Sequence, residues 1–372
     1  MNRLFSIDLL RGLVMLLMTI DHTRDMFSAV NIGDHLDNLS AAYYFTRWIT
    51  HFCAPTFVFL SGLSIALWIK KYSTSLIASQ IHVIKRGLFI ALLDVSFASL
   101  LWTIIAKQPI FTIYLSELWV LGWGMILLAL LLNFSTFTIF LVGVILIASH
   151  DFLQLFASNT IINTLLLGNG EYDLTSSIHI VANYAILPWF GITCIGYVAG
   201  DFLIRRRQLA NVFFVGSVVI SLTLFAILRF LNIYGDSHSF VYHSGDSLGN
   251  LLSFLDVTKY PPSLQYILIT STLSWCVLIF RNYLENLSHS KILQSIVHYG
   301  QAPLFYYLLH LTFICIYSCI LTFVFNQPFK TVNLLLVYLL AILIAVTAYP
   351  LLILFKKYRD QYKMKYPILS YI

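Results

Sequence analysis

Leu334–Phe355 reads LLLVYLLAILIAVTAYPLLILF, and this stretch decides the fold class. It carries no charge, and its apolar side chains fall on every face of a helix rather than at alternate positions. A barrel strand in an outer membrane would alternate apolar and polar residues over about ten positions. A run of about 20 apolar residues is the length that crosses roughly 30 Å of hydrocarbon as an α-helix. Working outward from it, similar runs recur to the other end of the chain. Ten spans are placed, at 6–28, 42–69, 84–105, 111–132, 134–150, 180–204, 209–231, 262–281, 300–325 and 331–355.

The composition agrees. Of 372 residues, 59% are hydrophobic and only 10% charged, against about 25% charged in a soluble average. A water-soluble globule is excluded. The expected fold is an all-α, polytopic integral membrane bundle of about ten transmembrane helices. With no internal repeat and no linker rich in Gly, Ser or Pro, residues 1–372 are expected to form a single integral domain.

The net charge of +6 has no basic domain to occupy, so nucleic acid is not an expected partner. The basic residues lie at the ends of the apolar spans and report topology. With both termini cytoplasmic, fifteen of the twenty-two Lys and Arg residues fall on the inner side, six on the outer side, and Arg11 lies within the first span. The positive-inside rule therefore predicts N-in and C-in. The first apolar run leads into the charged Asp21-His-Thr-Arg-Asp25 rather than a small-x-small cleavage pattern, so it reads as a retained helix.

The five cysteines (Cys53, Cys194, Cys276, Cys315 and Cys319) lie within predicted spans and form no CxxC pair, so neither a disulfide framework nor a metal site is expected. Three longer segments on the outer side, 29–41, 151–179 and 232–261, suggest a mouth or lid over a site.

A charge in the bilayer interior costs at least about 2.5–3.5 kcal/mol, so each one needs a structural partner or a function. Arg11 and His22 are eleven positions apart on the first span. At about 100° per residue that places them on one face, roughly 16 Å apart along the axis. Asp25, three residues beyond His22, shares that face and is expected to fix the ring tautomer. In the second span Arg47, His51 and Pro55 form a single stripe at i, i+4 and i+8, with Pro55 expected to kink the helix and free a carbonyl. Lys259 and Tyr260 lie in DVTKYPPS, where two prolines aim the lysine at the outer mouth. His310 follows Tyr306 and Tyr307 by about one turn in the ninth span. A lone histidine in a bundle can equally be a helix-to-helix hydrogen bond. Asp94 and Glu117 read as buried carboxylates that pair with Arg11 or Arg47, or that do chemistry.

Six motifs then carry a resemblance: SIDLLRG (6–12), DHTRD (21–25), TRWITHFCAPTFVFLSG (46–62), ILPWFGITCIGYVAG (186–200), FLDVTKYPPSL (254–264) and APLFYYLLHL (302–311). Together, in this order, they resemble the heparan-alpha-glucosaminide N-acetyltransferase catalytic-domain-like family of bacterial membrane proteins. The wider transmembrane acyltransferase clan is marked by an arginine, ten intervening residues and a histidine, and Arg11 and His22 reproduce that spacing. The resemblance implies a multi-pass protein of the bacterial cytoplasmic (inner) membrane that transfers an acyl group, usually acetyl from acetyl-CoA, to an acceptor outside the cytoplasm. One departure is visible: the animal enzyme resembles this chain with asparagine in place of His22 and its catalytic histidine further on, where His35 is the nearest counterpart.

On this reading His22 is base or nucleophile, with Asp25, Arg11, Arg47 and His51 as the other catalytic candidates. Lys259, Tyr260, His310 and His35 are candidates for binding the acceptor. Lys85, Arg86 and Arg205 are candidates for the CoA phosphates, although the positive-inside rule alone also explains them. The implied partners are the lipid bilayer, acetyl-CoA, a glycan or other envelope molecule bearing an amine or hydroxyl, and, allowed by the sequence, further copies in a homo-oligomer. The competing class is a proton-coupled small-molecule transporter; no second half echoes the first as transporter repeats would.

Overall fold

A computed structural model describes residues 4–30, 40–158, 160–168, 170–326 and 328–372. About 75% of the chain is helical. In chain order the elements are α1 (Phe5–Phe27), α2 (Ala41–Thr50), α3 (Cys53–Tyr72), α4 (Leu76–Leu93), a π-helical turn (Asp94–Ala98), α5 (Ser99–Ile105), β1 (Phe111–Leu115), α6 (Glu117–Leu131), α7 (Thr136–Gln154), α8 (Ile161–Leu167), β2 (Gly170–Thr175), β3 (Ile178–Ala182), α9 (Ile186–Arg205), α10 (Arg207–Leu231), α11 (Ser247–Leu255), α12 (Leu264–Ile279), α13 (Arg281–Asn286), α14 (Lys291–Gln301), α15 (Pro303–Phe325) and α16 (Leu334–Tyr362), closed by a 3₁₀ turn at Pro367–Ser370.

Among the described residues, seven helical runs are long and apolar enough to cross a membrane: Ala41–Tyr72, Leu76–Ile105, Thr136–Gln154, Ile186–Arg205, Arg207–Leu231, Pro303–Phe325 and Leu334–Tyr362. Three other expected spans are also helical but differ in kind. Helices α6 and α12 have 15 and 16 residues, short of a full crossing. Helix α1 has 23 residues but carries Asp8, Arg11, Asp21, Arg24 and Asp25.

The expected fourth span is corrected at its start. Phe111–Leu115 is a strand, and the helix begins only at Glu117. Strand β1 pairs in parallel with β3, which pairs antiparallel with β2, giving the order β1-β3-β2. Likewise Ile178–Ala182, partly assigned to the sixth span, is strand β3. The middle outer segment is thus ordered as α8 and a hairpin, on which Asp173 and Glu171 hold the His179 imidazole above its ordinary pKa, chiefly through the Asp173 hydrogen bond.

Contacts along the chain define two compact units. One holds Ala54–Ser99 and Ile110–Phe280; the other holds Asn2–Cys53, Leu100–Pro109 and Arg281–Ile372. In the first, α6 packs on α4 and α9, α7 on α9, and α10 on α12. Asp94 is fully buried there and caps α6: it accepts from the Ser116 amide at 2.7 Å, the Ser116 hydroxyl at 2.7 Å and the Trp119 amide at 3.1 Å. A carboxylate at a helix N-terminus satisfies orphan amides and the positive end of the dipole. The expected arginine partner is therefore replaced by a cap. Glu117 accepts from the Tyr184 hydroxyl at 2.5 Å.

In the same unit the 232–261 segment is folded around two polar centres. The wholly buried Arg229 donates to the Phe254 carbonyl at 3.0 Å, to those of Ser253 and Asp256 at 2.5 Å each, and to that of His238. Asp236 accepts from the Thr258 amide at 3.0 Å and the Ser263 hydroxyl at 2.5 Å. In the second unit α1 is central, touching α2, α13, α14, α15 and α16.

Candidate active site

The sequence of α1 builds a helix with a polar end. Its interior holds no proline, its leucine and methionine positions are good helix formers, and Arg24 in the last turn opposes the negative end of the dipole. His22 lies near that end with 5% of its surface exposed. Its ring is walled by Trp102 edge-on at 5.0 Å and Tyr307 edge-on at 6.2 Å, and His310 lies beside it at 5.1 Å with 17° between the ring planes. All three belong to the same unit.

Two polar contacts fix the geometry. His22 Nδ1 stands 2.9 Å from His310 Nε2, and His310 Nδ1 stands 3.0 Å from the Tyr306 carbonyl oxygen. His22 Nε2 has no hydrogen-bond partner among the described residues. Tyr306, one turn before His310, bonds Thr19 through its hydroxyl at 2.8 Å, tying α15 to α1 a turn below His22. His310, expected as an acceptor contact, is wholly buried, with both ring nitrogens engaged by protein.

Asp25 does not orient His22, as its spacing had suggested. Arg24 holds it instead, from Nη2 at 2.7 Å and Nε at 3.2 Å, while also holding Asp21 at 2.6 Å. The Thr50 hydroxyl donates to Asp21 at 2.6 Å, so this ion network joins α1 to the end of α2. A guanidinium two residues from His22 outcompetes the imidazole for the carboxylate because its hydrogen bonds are charge-assisted. Arg11 bonds Asp8 at 3.0 Å and the Gly300 carbonyl at 3.1 Å, anchoring α1 to α14. Arg47 is half-buried on α2. His51 is buried where α2 gives way to α3. The break falls at His51 and Phe52, four residues before Pro55, as expected of a proline that cannot donate to the carbonyl four residues back. His35 lies outside the described residues.

The remaining candidates belong to the first unit. Lys259 is buried with its ammonium over the Tyr260 ring at 5.0 Å, and the Tyr260 hydroxyl is 3.4 Å from that of Tyr184. On α4 Lys85 is exposed, while Arg86 is half-buried beside Trp68 and His82, whose rings stack at 4.0 Å. Arg205 bonds Asp201 at 2.9 Å. Among the described residues no group of three or more His, Cys, Asp or Glu is placed to hold a metal ion. Nothing in the sequence singles out Trp102 as a wall of this site. Tryptophan near a membrane interface is ordinary, so nothing local distinguishes it.

Residues 3–242 match the family model described as heparan-alpha-glucosaminide N-acetyltransferase, catalytic. The match includes His22 and ends before the motifs at 254–264 and 302–311. No curated protein matches the chain.

Proposed function

Since the chain belongs to the heparan-alpha-glucosaminide N-acetyltransferase catalytic family, a family of membrane acetyltransferases that implies acetyl-CoA as donor, we propose that it moves acetyl from cytoplasmic acetyl-CoA to an amine or hydroxyl of an extracytoplasmic glycan or other envelope molecule, in a bacterial inner membrane. The observation that carries the reading is His22: a nearly buried imidazole on the 23-residue helix α1 with one nitrogen bonded to protein and the other, Nε2, left for a reactant.

Nε2 can serve in two ways. As a base it takes the proton of the acceptor amine or hydroxyl while that atom attacks the thioester carbonyl, and the CoA thiolate leaves. As a nucleophile it attacks the carbonyl itself, expels the thiolate and passes the acetyl on from an acetyl-imidazole. In either case Arg47 is the proposed partner for the oxyanion, where preorganised positive charge is commonly worth about 3–4 kcal/mol. Lys259 with Tyr260 is the proposed acceptor contact of the first unit, and Lys85, Arg86 and Arg205 are its proposed contacts to CoA phosphates. No observation favours the transporter reading.

The testing experiment offers labelled acetyl-CoA to the purified protein in oriented vesicles, with total envelope extract confined to the opposite side. Label should move to the extract when acetyl-CoA is at the cytoplasmic face. Transfer only when both share one face would remove the transmembrane route.

The topology is part of the proposal, and it rests on the distribution of Lys and Arg. Reporter fusions after Arg207 and after Lys365 should both register as cytoplasmic. An external signal from either would overturn it.

A further inference from the structure

The hydrogen bonds around His310 determine where the proton of His22 sits. A backbone carbonyl only accepts, so the Tyr306 carbonyl at 3.0 Å requires a proton on His310 Nδ1. Placing the proton on Nε2 would set a ring lone pair against a carbonyl lone pair. Charging both nitrogens would bury an imidazolium in a residue with no exposed surface and no bonded carboxylate among the described residues. The neutral ring protonated at Nδ1 then presents its Nε2 as an acceptor, 2.9 Å from His22 Nδ1. His22 Nδ1 must donate, which leaves the lone pair of His22 on Nε2.

We propose that His310 is a positioning residue for the transfer reaction: the chain Tyr306 carbonyl, His310, His22 holds His22 in the one neutral tautomer whose outward nitrogen is a base or nucleophile. The proposal rests on the reading of His22 as the reacting group. It assigns to a neutral imidazole the task usually given to a carboxylate beside a catalytic histidine. The two rings lie edge to edge with only 17° between their planes, which also fixes the plane in which the lone pair points. Helix α15 supplies both parts of the chain one turn apart, so the arrangement needs only α1 and α15 to pack in register, and the bond between Thr19 and Tyr306 pins that register.

The consequence is a graded mutant series. His310→Leu fills most of the same volume but offers no acceptor, so the His22 proton is free to occupy either nitrogen. His310→Gln places a side-chain carbonyl near the former Nε2 and can still accept. Full-length protein with ¹⁵N-labelled histidine in lipid nanodiscs reports the tautomer directly, the His22 signals being assigned by their loss in His22→Ala. Wild type should show His22 protonated at Nδ1 with a bare Nε2. His310→Leu should show mixed tautomers and lose about 10²–10⁴ in apparent kcat, the range spanned by general-base catalysis and by a misplaced tautomer. Its KM for acetyl-CoA should stay within about twofold, because KM moves only when binding common to ground and transition states is lost. His310→Gln should recover the tautomer and come within about tenfold of wild-type kcat.

A His22 ring protonated at Nε2 in the wild type would overturn the proposal. So would a His310→Leu variant that keeps both the wild-type spectrum and the wild-type kcat. If His310→Leu does not fold, the spectra of wild type and His310→Gln still decide. Wild-type turnover in His22→Ala would instead remove the catalytic reading of His22, while the ring signals would still show whether His310 sets its tautomer.

Discussion

His22→Ala is expected to abolish acetyl transfer, by about 10³-fold or more, while folded protein is still made. The magnitude follows from the role: a base or nucleophile is removed, and general acid–base catalysis alone contributes about 10²–10⁴. Alanine keeps the helix, being its best former. The variant does strip His310 Nε2 of its donor, at about 1–3 kcal/mol for an unsatisfied buried group. His22→Gln is therefore the sharper companion, since its amide can still donate to His310 yet has no imidazole nitrogen to react. Both should be inactive with labelled acetyl-CoA and envelope extract. Wild-type turnover in either would sink the assignment. Arg11→Leu should also lose activity, but through a different route. It breaks the bonds to Asp8 and to the Gly300 carbonyl and so loosens α1 from α14, which should appear as reduced folded protein before any change in chemistry.

The contrast between Asp25 and His310 marks what the sequence can carry. His22 is legible because an imidazole inside a 23-residue transmembrane-length helix demands an explanation by itself. Its orienting partner is not. Spacing along α1 nominates Asp25, and a local rule cannot weigh that nomination against a residue 288 positions away on α15. The fold divides the same way. Long apolar runs declare helices from composition alone. Phe111–Leu115 reads as the start of a span because FTIYL is apolar and β-branched residues are neutral within a membrane helix; only its parallel pairing with Ile178–Ala182 makes it a strand. Asp94 reads as a charge seeking an arginine, but the Ser116 and Trp119 amides that claim it lie 22 and 25 residues on, beyond an intervening strand.

The second large effect is expected at Gly12 and Gly300, where α1 and α14 meet backbone to backbone. A Cβ added to Gly12 would fall on the Ile296 carbonyl, and one added to Gly300 would fall on that of Asp8. Small residues permit such approaches between membrane helices. The same contact carries the Arg11 bond to Gly300, and nearby Glu285 accepts from the Ser6 amide at 3.0 Å and hydroxyl at 3.1 Å, closing the N-terminus of α1. Gly12→Ala or Gly300→Ala should raise helix propensity, by about 0.8–1.0 kcal/mol per site. Any loss of stability must therefore come from the contact, and backbone atoms cannot swing aside as a side chain would. A net loss of roughly 3 kcal/mol or more is expected, lowering Tm in detergent by roughly 6–12 °C at about 2–4 °C per kcal/mol. Gly216→Ala on α10 supplies the control, since a Cβ there meets nothing within 4 Å; it should leave Tm unchanged or slightly raised. Thermal unfolding of the three variants side by side decides the matter. If Gly300→Ala melts with Gly216→Ala, α1 is not held by this crossing, and the position of His22 must be set by the other contacts of α1, with α2, α15 and α16.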